Sequence, residues 1–178
     1  NLHNWAVYSS GGEFVREALG LTDPSNSFLQ GQSFFDKYMP SQLNHFTREG
    51  MYRDPNDPIT YDITTRLQVA NALAFGYNGP LKHPLDELLR RGGLTMLLYT
   101  APDGLAPFGG RSGQFQFQEG IIAALCELEA KRYKTTDKKL AGAFKRQAHI
   151  SAPALPKQAD TCLNCTLLFT RSSPPRAR

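Results

Sequence analysis

Apolar side chains recur along this chain at the spacing of a helix and hardly anywhere at the alternation of a strand, and that periodicity commits it to a helical fold. The first segment, roughly residues 3–20, carries Val7, Tyr8, Gly11, Phe14, Val15, Ala18 and Leu19. Its Ser9-Ser10-Gly11-Gly12 stretch has poor helix propensity, but small residues let a neighbouring helix come close. Asp23 and Pro24 supply an N-cap and a first-turn proline for a second helix, with Phe28, Phe34, Phe35 and Tyr38, which Pro40 should kink. A third runs from about Tyr61 to Tyr77, and a fourth starts at His83-Pro84 and is expected to be interrupted at Gly92-Gly93. A fifth spans Phe115 to Tyr133, and residues 137–149 make a sixth, more polar one. Phe115 and Phe117 alternate with Gln114, Gln116 and Gln118 like a strand, but the run is too short to displace a helix start. The expected class is all-α, with a packed domain over 1–149 and a Pro-, Ser- and Arg-rich basic tail over 150–178.

Charge looks at first like a nucleic-acid signature, since the net charge is +4. Residues 151–178 hold Lys157, Arg171, Arg176 and Arg178 against Asp160, so most of that excess belongs to the tail and the rest is near neutral. A nucleic-acid binder needs its basic stripe on the folded part, so no nucleic-acid partner is expected. No run of 18 apolar residues exists, so no membrane partner is expected either. The chain opens on Asn1-Leu2-His3-Asn4-Trp5 without an initiator Met or a signal-peptide pattern, as if cut from a longer protein. Cys126 reads as a small core residue. Cys162 and Cys165 lack the second pair or histidines of a zinc site, so no metal or other cofactor is expected.

The connections alternate short and long: those near 20–26 and 78–83 are short, and those near 47–60 and 99–114 are long and rich in Gly, Pro, Arg and aromatics. Helices joined in succession run antiparallel, so alternate connections fall at the same end of the stack. Both long loops, and the starts of helices one, three and five, should therefore share one rim. His3, Asn4, Trp5, the stretch Met51 to Asp62, and Arg111 to Glu119 fall there, and loops on a rigid scaffold are where sites are built.

The Asn4-Trp5 opening, the turn Glu49-Gly50-Met51-Tyr52-Arg53-Asp54 leading to Tyr61-Asp62, and the loop Phe108-Gly109-Gly110-Arg111-Ser112 resemble the (α/α) toroid proteins. That superfamily includes heparinase II/III-like and alginate or chondroitin lyases and the six-hairpin glycosidases. The resemblance covers residues 1–149 and implies antiparallel hairpins in a ring of about a dozen helices, of which roughly half are present. It also implies a polysaccharide or oligosaccharide substrate and a secreted or periplasmic setting.

Two chemistries fit such a rim. β-Elimination on a uronate polymer needs a group to neutralise the sugar carboxylate, a base for the carbon-bound proton and an acid for the leaving oxygen. Asn4, Arg111, Gln114 and Gln116 are available for the first task, and Tyr61, Tyr52 and His3 for proton transfer, with Trp5, Tyr52 and Arg53 among the further substrate-binding candidates. Hydrolysis needs two carboxylates flanking the bond, and Asp62 with Glu119 is the natural pair. Elimination is the leading expectation. A non-catalytic glycan-binding scaffold and an inert fragment are the rivals. Each residue also has a structural reading. Trp5 is either a sugar platform or a core aromatic. Arg111 either binds substrate or braces its loop. Glu119 either acts chemically or simply favours its helix dipole. Asp54 and Asp57, each before a proline, read as turn formers, and His45 as part of a solvated face.

Overall fold

The computed structural model describes residues 3–22, 31–107, 109 and 117–154. Six helices follow one another: α1 (Asn4–Ala18), α2 (Gly31–Leu43), α3 (Ile59–Ala74), α4 (Lys82–Tyr99), α5 (Gln118–Tyr133) and α6 (Lys138–Ser151). The all-α expectation holds, and no strand occurs among the described residues. One antiparallel bridge, Phe46 to Tyr52, folds the chain back on itself between α2 and α3.

α1 buries Asn4, Val7, Ser10, Gly11 and Phe14, a stripe at three- and four-residue spacing. Two of its weak helix formers, Ser10 and Gly11, lie on that packed face: a Cβ on Gly11 would stand 3.5 Å from Gln68 of α3. Packing, not propensity, holds this helix together. α1 and α3 end alike. Gly20 and Gly76 take positive φ, and the paired bonds Leu21 N–H to Arg16 O and Tyr77 N–H to Ala72 O close each last turn.

Gly92 and Gly93 do not interrupt α4, which runs unbroken through both. They are places of close approach. Gly50, at φ +82°, lies backbone to backbone on Gly92, and a Cβ on either would clash with the other segment. A Cβ on Gly93 would stand 3.0 Å from Glu129 Cγ. The turn before residue 51 is thereby pressed onto the middle of α4.

α1, α3 and α5 touch in succession and point the same way, while α2, α4 and α6 run opposite. Gly31, at the start of α2, meets Glu13 and Phe14 late in α1. Tyr99, at the end of α4, reaches Asp62 at the start of α3, and Ser151, at the end of α6, donates to the Gly104 carbonyl at 2.9 Å. A single apolar cluster fills the interior, with Val7, Phe14, Phe35, Ile63, Leu89, Met96, Ile122 and Phe144 among its members. Cys126 belongs to it, as its setting in the sequence implied, and burial pushes its thiol up to about 12. Ala154 is buried too, so the packed body extends a few residues past 149. No described helix is long and apolar enough to cross a membrane.

Candidate active-site rim

Two hydrogen bonds fasten the starts of the odd-numbered helices into one end of the molecule. The Asn4 N–H, at the head of α1, donates to Asp54 Oδ1 at 3.3 Å, so a loop carboxylate caps this helix from outside it. The Gln118 amide, at the head of α5, donates to the Thr60 hydroxyl at the head of α3. The rim deduced from loop lengths is thus a real surface, carrying His3, Asn4, Trp5, residues 51–62 and residues 117–119.

One concavity there is an open pocket of about 270 Å³ lined by His3, Asn44, His45, Arg53, Asp54, Pro55, Asn56 and Asp57. A second, of about 180 Å³, shares Arg53 and Asp57 with it and adds Thr47, Met51, Tyr52, Pro58, Ile59 and Asp62. Arg53 stands between the two. Its Nε and Nη2 donate to Asp57 Oδ1 and Oδ2, both at 2.9 Å, an exposed bidentate pair that keeps the guanidinium charged and holds the Asp57 carboxyl low. His3 and His45 meet edge to face with ring centroids 4.7 Å apart. Burial and the neighbouring His3 pull the His45 pKa below 6.5, against an upward push from Asp54.

The expected site residues divide into three groups. His3 and Arg53 line the first pocket, Asn4 is buried at the head of α1 with its N–H on Asp54, and Trp5 is 71% exposed, so it is no core aromatic. Tyr61 lies partly buried in the first turn of α3. Tyr52, Asp62 and Glu119 turn inward. Tyr52 is buried and its hydroxyl donates to Gln42 at 2.8 Å, while burial and Asp54 push its pKa up. Asp62 is 2% exposed: Oδ1 accepts from the Tyr52 N–H at 2.7 Å and from Arg66 Nε at 2.9 Å, and Oδ2 accepts from Arg66 Nη2 at 2.6 Å. The Tyr99 hydroxyl completes this cluster. Glu119 is also 2% exposed, and its Oε1 accepts from the Ala106 N–H at 3.0 Å, tying α5 to the loop after α4. Arg111, Gln114 and Gln116 lie outside the described residues.

His45 was read as part of a solvated face, and the structure sets it against His3 instead. The same helix count contained this answer. α2 ends at Leu43 on the rim side, so the long loop begins at residue 44, and its first residues belong to the rim. Asp54 and Asp57, expected as turn formers, are the two ends of one turn, closed by the Asp57 N–H donating to the Asp54 carbonyl at 2.8 Å, with Asn56 and Asp57 at φ of 69° and 46°. No group of three or more His, Cys, Asp or Glu among the described residues is arranged to hold a metal ion.

No family model, curated protein or solved structure matches this chain.

Proposed function

We propose that this rim binds an acidic, uronate-containing polysaccharide and cleaves it by β-elimination, the three hairpins forming part of an (α/α) toroid. The observation that carries this reading is the make-up of the first pocket. Two imidazoles, a charged arginine and polar loop side chains line a single open concavity, and an exposed tryptophan lies two residues past His3 on the first turn of α1. Elimination asks for those groups: an arginine for the sugar carboxylate, proton-transfer groups with pKa values near neutrality, and an aromatic face for the sugar ring. Exchange of a substrate carboxylate for Asp57 on the exposed Arg53 costs little, because that ion pair is solvated. The parallel order of α1, α3 and α5 supports the toroid, in which alternate helices run the same way round the ring.

The hydrolytic version is the weaker one. It depends on Asp62 and Glu119, and both carboxylates are buried and engaged with protein groups. To flank a glycosidic bond, Asp62 would have to leave Arg66, exposing an unpaired buried cation.

Incubation with polymers of uronic acids decides between the two. Elimination creates a carbon–carbon double bond conjugated to the carboxylate, seen as rising ultraviolet absorbance in step with new reducing ends. Reducing ends without that absorbance would mean hydrolysis, and neither signal would mean a binding scaffold.

A further inference from the structure

We propose that His45 is the base and His3 the acid of this elimination, the two rings working as a pair that holds one proton, with Asp54 as their positioning residue. The proposal rests on the polysaccharide reading above and deepens it by naming a base. Its geometry is independent of that reading. The rings are in contact at 4.7 Å between centroids, and both line the same pocket. Two imidazolium ions at that separation repel, which disfavours charging both rings at once and is one cause of the lowered His45 pKa.

The backbone around the pair is strained. Three non-glycine residues among those described have positive φ: His3, Asn56 and Asp57, and all three line this pocket. Such conformations persist where the surroundings over-determine them, and they gather at functional sites. Asp54 supplies that determination. Its buried carboxylate holds the head of α1 through the Asn4 N–H, the residue after His3, and acts electrostatically on His45, so one side chain ties the His3 end of α1 to the loop that carries His45. The Nδ1 of His3 is buried without a hydrogen-bond partner among the described residues, an unmet group beside the cavity. The charged groups facing the pair are Asp54, Arg53 and Asp57, and the last two neutralise one another.

The proton count closes. Neutral His45 takes the proton from the carbon next to the uronate carboxylate, and that electron pair becomes the new double bond. The bond from the adjacent carbon to the glycosidic oxygen breaks, and His3, carrying the pair's single proton, delivers it to that oxygen. The pair holds one proton before and after, transposed from one ring to the other, and exchange with water in the open pocket restores it. Arg53 offsets the charge that builds on the carboxylate meanwhile.

The test combines proton-detected titration of both rings with kinetics on a polyuronate. In the wild type His45 should titrate below its ordinary value, and His3→Gln should move it upward. His45→Gln should lower kcat by about 100-fold or more with little change in KM, the loss expected for a proton-transfer group. His45→Asn, and retention of the folded spectrum in both variants, guard against misfolding. Asp54→Asn should shift the pH profile of kcat, which a purely structural cap would not do. Wild-type elimination that survives in His45→Gln would overturn the base assignment and leave the proposed reaction standing. A His45 titration that His3→Gln leaves unmoved would overturn the pair, and absence of elimination in the wild type would overturn both proposals.

Discussion

Two arginine–aspartate pairs lie close together in this chain, each bidentate and each spanning four residues, yet their surroundings are opposite. Arg53 and Asp57 are 64% and 57% exposed, whereas Arg66 and Asp62 are 1% and 3% exposed. In water the first pair is held loosely and its partners are exchangeable. In the interior the second repays the desolvation of two ions only by satisfying them together, through Tyr52, Tyr99 and each other. Burial opposes the Arg66 charge most strongly, and Asp62 with Tyr99 restores it. The contrast teaches which of the rim's charges are available for chemistry: those on the 44–58 loop, and not those in the first turns of α3 and α5.

Breaking the buried pair should have the largest effect. Arg66→Ala leaves the Asp62 carboxylate buried without its cation and should cost about 3–5 kcal/mol, read from urea unfolding. A next, smaller effect sharpens what burial does to a lone carboxylate. Glu129 is buried on α5, and burial raises it to about 7 in spite of Arg66 and Arg90. Arg132 Nε lies 3.0 Å from its Oε2, within ion-pair range, but the angle is too poor for a hydrogen bond. Its raised pKa means the unfolded chain releases this proton first. Its contribution to stability should therefore be largest below about 4.5, fall as pH rises towards about 7, and level off beyond. Glu129→Gln should remove most of that slope and at pH 8 leave the variant more stable by on the order of 1–3 kcal/mol, measured by unfolding across pH.

On the exposed side the effects belong to substrate, not to folding. Arg53→Gln should leave the unfolding midpoint unchanged and raise KM for a polyuronate by roughly 10-fold, as loss of one solvated charge contact would. Trp5→Ala should give the smallest change, weakening oligosaccharide binding by a few-fold with no loss of stability, because this ring packs against little of the protein. A large fall in stability in either variant would erase the distinction between the two regions.

Much of this arrangement was legible in the order of long and short connections. Counting antiparallel helices places the starts of α1, α3 and α5 together, and the Asn4–Asp54 and Thr60–Gln118 contacts bear that out. The direction in which each rim side chain points was not legible. Asp62 turns inward because Tyr99, 37 residues later, and Arg66 converge on it, and spacing along α3 alone does not reveal a partner on α4. Gly92 and Gly93 look like a break in any window of helix propensity, and their role in admitting Gly50 and Glu129 depends on packing between distant segments. His45 was within reach, since the end of α2 had to fall on the rim, but a lone histidine after a helix gives no local sign of a second ring beside it.

The central claim is that acidic sugar binds at the 44–58 loop and the head of α1. Its most direct test is a resonance-by-resonance titration of the chain with a short oligouronate. The account predicts that the His3 and His45 rings, the Trp5 indole and the Arg53 guanidinium shift together, while Arg66 and Glu129 stay still. Shifts confined to the lysines of the α5–α6 hairpin, or none at all, would contradict it.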